Sequence, residues 1–241
     1  MTDGRLVDRR IVVTGGATGV GAGAVGALAR AGARVAAVHH STPPPDSLRD
    51  VAAWWQCDLR DQNAVEELFA EAVGELGGLD VLVHCAGLWV PSTPDRLTEE
   101  DLDALLATNV KATVFTNQAA FTHLREGGGA IVNVGSCEAV TGNPIAASYA
   151  MTKGAVHAWT RSAARAWGRH GITVNTLAPA AETPGADRFR EFLGPEAAAR
   201  MDRGMSQSIV IGGRLGDPLE DIGPALVFLA SSDAHFITGQ V

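Results

Sequence analysis

Apolar residues along this chain follow two alternating rhythms. Short unbroken runs rich in Val, Ile and Leu occur at 11–14, 34–39, 81–84, 130–134 and 172–177, with little polar alternation inside them. Runs of that kind are expected of strands buried on both faces. Between them, Ala64, Val65, Leu68, Phe69, Ala72, Val73 and Leu76 recur at the spacing of a helix with one apolar face. Thr98 starts a further helix, with Asp101 three residues on as in a capping box. A regular strand and helix alternation predicts an α/β fold: one doubly wound parallel sheet with helices on both faces, a single domain over residues 1–241. Pro43 to Pro45 reads as a surface turn, and there is no internal repeat.

Composition narrows the class. The 241 residues carry 19 Lys plus Arg against 27 Asp plus Glu, a formal charge of −8, which is the wrong sign for a nucleic-acid surface. A hydrophobic content of 46% with 19% charged residues is that of a packed globular chain. Cys57, Cys85 and Cys137 stand far apart, with no CxxC pair and no His at metal spacing, so neither a zinc site nor a disulfide framework is expected. The charged N-terminus does not read as a signal peptide, and no window approaches the ~20 apolar residues of a membrane span. The expectation is a cytoplasmic protein with no metal, nucleic-acid or membrane partner.

Directly after the first strand comes Thr14-Gly15-Gly16-Ala17-Thr18-Gly19-Val20-Gly21, followed by an Ala-rich helix running to about Ala31. Bare backbone N–H groups at the positive end of a helix are what a phosphate needs, and glycines open that approach. Cys57-Asp58-Leu59 ends a later short segment, where a carboxylate could hold an adenine amino group, and His84-Cys85-Ala86-Gly87 ends the strand after that. All three loops fall at carboxyl ends of strands, where doubly wound sheets bind ligands.

Tyr149 and Lys153, four apart in a helical stretch, share one face, and Ser136 sits in a turn at the end of the preceding strand. Carbonyl reduction by hydride needs a proton donor for the developing alkoxide, and oxidation needs the same group as base. Free Tyr, with a pKa near ~10, is a poor base. A nearby ammonium is expected to lower that value, with Ser136 holding the carbonyl oxygen.

The spacing Gly15-x-x-x-Gly19-x-Gly21, with Ser136, Tyr149 and Lys153 in order, resembles the short-chain dehydrogenase/reductase family from about Arg9 onward. The resemblance implies a Rossmann-type NAD(P)-dependent oxidoreductase acting on an alcohol or ketone, and a homotetramer. It makes Asn109 the fourth member of a catalytic tetrad with Ser136, Tyr149 and Lys153, and gives Lys153 a second contact to the nicotinamide ribose. Cofactor contacts are expected at Thr14, Gly15, Thr18, Gly19, Val20, Gly21, His39, His40, Ser41, Asp58, Leu59, Cys85, Ala86, Gly87, Tyr149, Lys153, Pro179, Ala180 and Thr183. Two departures stand out. His84-Cys85-Ala86-Gly87 replaces the family's Asn-Asn-Ala-Gly, and Thr183 follows Pro179 one residue early.

Residues 184–213 read as a substrate lid, and His84, Trp89, Cys137, Glu138 and Asn143 as pocket lining that hints at a polar or hydroxylated substrate. A helix over 218–230 and a strand over 236–241 are expected to join a subunit contact, with Trp159, Trp167, Phe228 and Phe236 as exposed apolar surface. After the second strand, His39 stands where a carboxylate would select NAD(H), and His40, Ser41 and Thr42 offer donors to a phosphate. The expected cofactor is NADP(H) in preference to NAD(H), although no Arg or Lys occurs in that loop or at Thr18. The other readings are a regulator that binds a dinucleotide without chemistry, and a structural partner subunit.

Overall fold

The computed structural model describes residues 4–241. Six parallel strands form one sheet: β1 (Arg10–Thr14), β2 (Arg34–His39), β3 (Ala53–Gln56), β4 (Val81–His84), β5 (Gly129–Val134) and β6 (Ile172–Leu177), in the order β3-β2-β1-β4-β5-β6. The chain works outward from β1 in one direction and then, from β4, in the other. The loops therefore diverge at the carboxyl ends of β1 and β4, and a crevice opens between them. Five of these strands coincide with the apolar runs. β3, Ala53-Trp54-Trp55-Gln56, was not anticipated as a strand: it is a short edge strand with no buried residue, so it lacks the pattern of the others.

Each sheet face is covered separately. On one side, Val65, Leu68, Phe69, Ala72 and Val73 of α2 (Gln62–Leu76), residues of α4 (Ala112–Leu124) and of α6 (Ala147–Trp167) pack on Val12, Leu82 and Ile131. On the other, α1 (Gly19–Arg30) and α9 (Gly223–Ala230) cover Ile11, Val13, Val81 and Val132. The Asp61 carboxylate caps the start of α2 by accepting from the Asn63 and Ala64 amides, and Gly77, with φ +73°, ends it. Thr98 and Asp101 form the expected capping interaction at α3 (Glu99–Leu105), which runs through a π-helical turn, Leu106–Lys111, into α4. The short α5 (Glu138–Thr141) follows β5. The proposed lid segment contains α7 (Pro184–Leu193) and α8 (Pro195–Ser208).

The tail departs from expectation. Residues 236–241 are not a strand, yet the Gly239 amide donates to the Val174 carbonyl and the Thr176 amide to the Gln240 carbonyl, so the tail runs along β6 without entering the sheet. Trp159 and Trp167 are not free surface either. Both are partly buried, and Trp167 stacks on Phe121 with ring centroids 4.8 Å apart.

A buried polar network crosses the apolar core. Asn117 and Asn133 exchange amide hydrogen bonds of 2.9 and 3.1 Å, Trp159 Nε1 donates to Asn117 Oδ1, and Asn133 also donates to Thr160 Oγ1. Both asparagines are wholly buried, so each polar atom depends on the others for its partner. Asn133→Ala should therefore lower unfolding stability by about 1–3 kcal/mol, because Asn117 is left buried without its partner. Urea unfolding with an unchanged m-value checks this; a loss under ~0.5 kcal/mol, the range of an ordinary surface substitution, would contradict it.

Candidate active site

A cavity of about 550 Å³ opens along the carboxyl ends of the strands. Its shape begins with Gly15. This residue has φ +64°, and a Cβ there would lie 2.8 Å from the Ala86 backbone. Gly21 is equally constrained, since a Cβ on it would collide with the Gly15 carbonyl. The turn can close only with hydrogen at both positions. It delivers Thr18, Gly19, Val20 and Gly21 to the cavity wall as the first turn of α1, with no side-chain cap and no acidic residue. Those uncapped amides and the positive helix end fit a pyrophosphate, and the adjoining loops leave room for the rest of a dinucleotide.

The cavity extends past His39, His40, Ser41 and Thr42 after β2, and past Asp58, Leu59 and Arg60 after β3. Arg60 was missed in the sequence, although it lies two residues after Asp58. Its guanidinium grips the Asp58 carboxylate with Nε and a terminal nitrogen, at 2.8 and 2.6 Å, and holds that carboxyl down at about 2. The His40 imidazole lies 3.9 Å from the same carboxylate. This end of the cavity thus holds a fixed cation after all, supplied by the β3 loop and already paired.

At the opposite end, α6 carries Tyr149 and Lys153 on one face, and Ser136 follows β5; all three line the cavity. Lys153 Nζ donates to the Val134 carbonyl at 2.7 Å and lies 5.7 Å from the centre of the Tyr149 ring. Burial pushes the lysine down to about 8. The tyrosine moves opposite to expectation. Burial, with the nearby Glu138 carboxylate adding to it, pushes the phenol up to about 12, while the hydrogen bond with Ser136 works the other way. Lys153 does not offset the burial, because the lysine, pushed down to about 8, has already lost its proton in the range where this phenol ionises.

Asn109 does not line the cavity. It sits wholly buried in the π-helical turn, where its amide clamps Leu88: Oδ1 accepts from the Leu88 amide at 2.7 Å, and Nδ2 donates to the Leu88 carbonyl at 2.9 Å. A Cβ on Gly87 would lie 3.4 Å from both Asn109 Oδ1 and Lys153 Nζ, so two of the four proposed tetrad members meet at this glycine. Cys85, Ala86 and Gly87 do line the cavity. Burial holds the Cys85 thiol up at about 12, hence neutral.

Other expected contacts are redistributed. Thr14 supports the loop from behind, its hydroxyl accepting from the Ala86 amide at 3.3 Å. Pro179 and Thr183 reach the cavity, whereas Ala180 does not and Ala181 does. The early Thr183 still packs near Gly19, because it caps α7 and its hydroxyl accepts from the Ala186 amide. Of the five residues expected around a substrate, Trp89 lines the cavity. His84 is buried in the core with its Nδ1 between the Thr14 and Thr116 hydroxyls, and desolvation holds it at about 3. Cys137 is exposed. Glu138 and Asn143 bond to each other behind Trp89, outside the lining.

Because Tyr149 is the only tyrosine, its ionisation can be read directly from phenolate absorbance. A raised pKa keeps the neutral phenol to higher pH, so the folded, coenzyme-free protein should show no phenolate until well above the ~10 of free tyrosine. Ser136→Ala should move the onset higher still. A wild-type transition at or below ~10 would contradict the burial argument.

The family model described as enoyl-(acyl carrier protein) reductase matches residues 15–241. The chain is 35% identical to the short-chain reductase protein NovJ of Streptomyces niveus, over 95% of this chain and 89% of that one. It is 30% identical to the 3-oxoacyl-(acyl-carrier-protein) reductase FabG of Thermotoga maritima, over 98% and 96%. The crystal structure of a short-chain alcohol dehydrogenase from Sinorhizobium meliloti, titled as putative, superposes with a TM-score of 0.88 at 32% identity, covering 98% of this chain and 94% of that one. With the glycine turn and the parallel sheet, these likenesses place the chain in the short-chain dehydrogenase/reductase family as an NAD(P)-dependent oxidoreductase.

Proposed function

We propose that this enzyme transfers hydride between a nicotinamide dinucleotide and an alcohol or ketone, with Tyr149 as general acid and base. The observation that carries this reading is the placing of Ser136, Tyr149 and Lys153 together on the wall of a cavity whose other part is an uncapped helix start. When bound, the reduced nicotinamide supplies the hydride. Ser136 holds the substrate oxygen, and Tyr149, kept neutral by burial, gives its proton as negative charge develops there. Lys153, 5.7 Å from the ring centre, then stabilises the phenolate and offers its remaining hydrogens to the coenzyme ribose. Asn109 fixes the Gly87–Leu88 segment against Lys153. The segment 184–213 serves as the substrate lid, with the Phe189 ring packed at a tilt of 39° against Trp89, centroids 5.0 Å apart.

Tyr149→Phe removes the proton donor without touching the glycine turn. Turnover should fall ~10²- to 10⁴-fold with dinucleotide affinity nearly unchanged. Lys153→Ala should damage both. Absorbance assays and a fluorescence titration separate the two quantities; wild-type-like turnover of the phenylalanine variant would sink the mechanism.

NADP(H) is the favoured coenzyme, with NAD(H) as the alternative. His39, His40 and Ser41 at the cavity wall are donors for a 2′-phosphate, while Arg60 adds positive charge that Asp58 largely cancels. Dissociation constants of both coenzymes check this, and tighter NADH binding would overturn it.

We also assign a cytoplasmic homotetramer. Three free thiols suit a reducing compartment, and Phe228 and Phe236, 37% and 93% exposed, suit burial in an assembly. Light scattering at micromolar concentration should give four times the chain mass; a monomer would refute the assembly.

A further inference from the structure

Three cations line the cavity among the described residues: Arg60, Lys153 and Arg188. Two of them are committed. Arg60 is held by the Asp58 carboxylate and Lys153 by the Val134 carbonyl. Arg188, on α7, donates only its Nε, to the Trp89 carbonyl at 3.3 Å. Its two terminal nitrogens have no partner in the described structure. Of the two acids on its own helix, Asp187 is engaged by Arg190, which also holds Glu182 and Asp202, and Glu191 makes no ion pair with Arg188 in the described structure. A guanidinium with its Nε satisfied and its outer edge open is arranged for bidentate binding of an oxyanion.

Arg188 stands between the dinucleotide end and the Trp89 loop, with one terminal nitrogen near Gly185. Thr183 and Pro184, at the start of α7, are the parts that pack on Gly19. Arg188 lies a turn further on and is tied instead to the Trp89 loop. Arg188, Trp89, Ser136 and Tyr149 all line the one cavity, and the Glu138 amide donates to Ser136 Oγ. A chain of net charge −8 repels an anion at long range, and a local cation of this kind offsets that repulsion for a bound anion.

We propose that Arg188 is the substrate's anion-binding residue, so that the natural substrate is an oxo acid or hydroxy acid whose carboxylate pairs with the free guanidinium edge while its carbonyl or hydroxyl lies at Ser136 and Tyr149. This builds on the hydride-transfer reading and names its substrate class.

Two measurements test it separately from that reading. In the first, calorimetry follows malonate, a short dicarboxylate with no reducible carbonyl, binding to the enzyme saturated with oxidised coenzyme. Wild type and Tyr149→Phe should bind it, Arg188→Ala should bind about tenfold more weakly or not at all, and Arg188→Lys should recover only part of the loss. Wild type that takes up no malonate, or an Arg188→Ala variant that binds it equally well, overturns the proposal. In the second, acetoacetate and related oxo acids are compared with their methyl esters as substrates. The acids should be preferred, and Arg188→Ala should lower their kcat/KM about tenfold more than that of the esters. Equal losses for acid and ester, or a matching loss in coenzyme affinity measured by fluorescence, would place Arg188 on the coenzyme phosphates and overturn the proposal. Failure of every carbonyl compound to oxidise the coenzyme counts against hydride transfer, while the malonate result still decides Arg188.

Discussion

The site depends on the close backbone approach of Gly15 to Ala86. Parallel pairing of β1 with β4, Thr14 opposite His84, brings two loops together at the same height, and only a residue without a side chain lets them pass at contact distance. Below them, Thr14 and Thr116 bracket His84, and Thr14 also accepts from the Ala86 amide. The polar contacts at the strand ends thus bind the two loops side to side. From this point the helix start of α1 faces one way and the Gly87–Leu88 segment the other, so one backbone contact orders both the dinucleotide end and the chemical end of the cavity.

Charge is handled differently at those two ends. Near Asp58, ions are partly exposed and neutralise one another, so little desolvation is involved and the Asp58–Arg60 pair is worth little to stability. Near Tyr149, groups are taken out of water. Burial keeps the tyrosine protonated, weakens the hold of Lys153 on its proton and keeps His84 and Cys85 uncharged. The outcome is a pocket with one buried cation and one neutral acid beside the partly buried Glu138 carboxylate, which suits transfer of a single proton under the proposed mechanism.

Much of this was legible in the chain itself, for identifiable reasons. The five other strands are buried on both faces and show as largely apolar runs, even β6 with its buried Thr173, Asn175 and Thr176; β3 has no buried residue and so gives no such signal. The glycines at 15 and 21 read as a turn because no other residue fits there, and Ser136, Tyr149 and Lys153 read as a group because strand ends and helix faces have fixed geometry. Sequence did not reveal which residues near the site look inward. His84 sits in the same tetrapeptide as Cys85, Ala86 and Gly87, but it is the last residue of β4 and turns its ring into the core. Arg60 was invisible for the converse reason: its place beside His40 arises from pairing of β2 with β3, a contact between distant parts of the chain.

Helix α6 ties the chemistry to the core. Its first two turns present Tyr149, Thr152 and Lys153, and further along the same helix Trp159 and Thr160 enter the buried amide network with Asn117 and Asn133. Thr160 also accepts from the Thr176 hydroxyl of β6. Hydrogen bonds are directional, so this network fixes the rotation of α6 about its axis in a way that the Ala-rich apolar packing around it would not. A helix free to turn by a small angle would carry the phenol away from Ser136 and the ammonium away from Val134 together. The polar groups in the middle of the core thus hold two side chains four residues apart at a fixed angle to the strand that ends in Val134, and under the proposed mechanism that angle bears on the reaction as well as on stability.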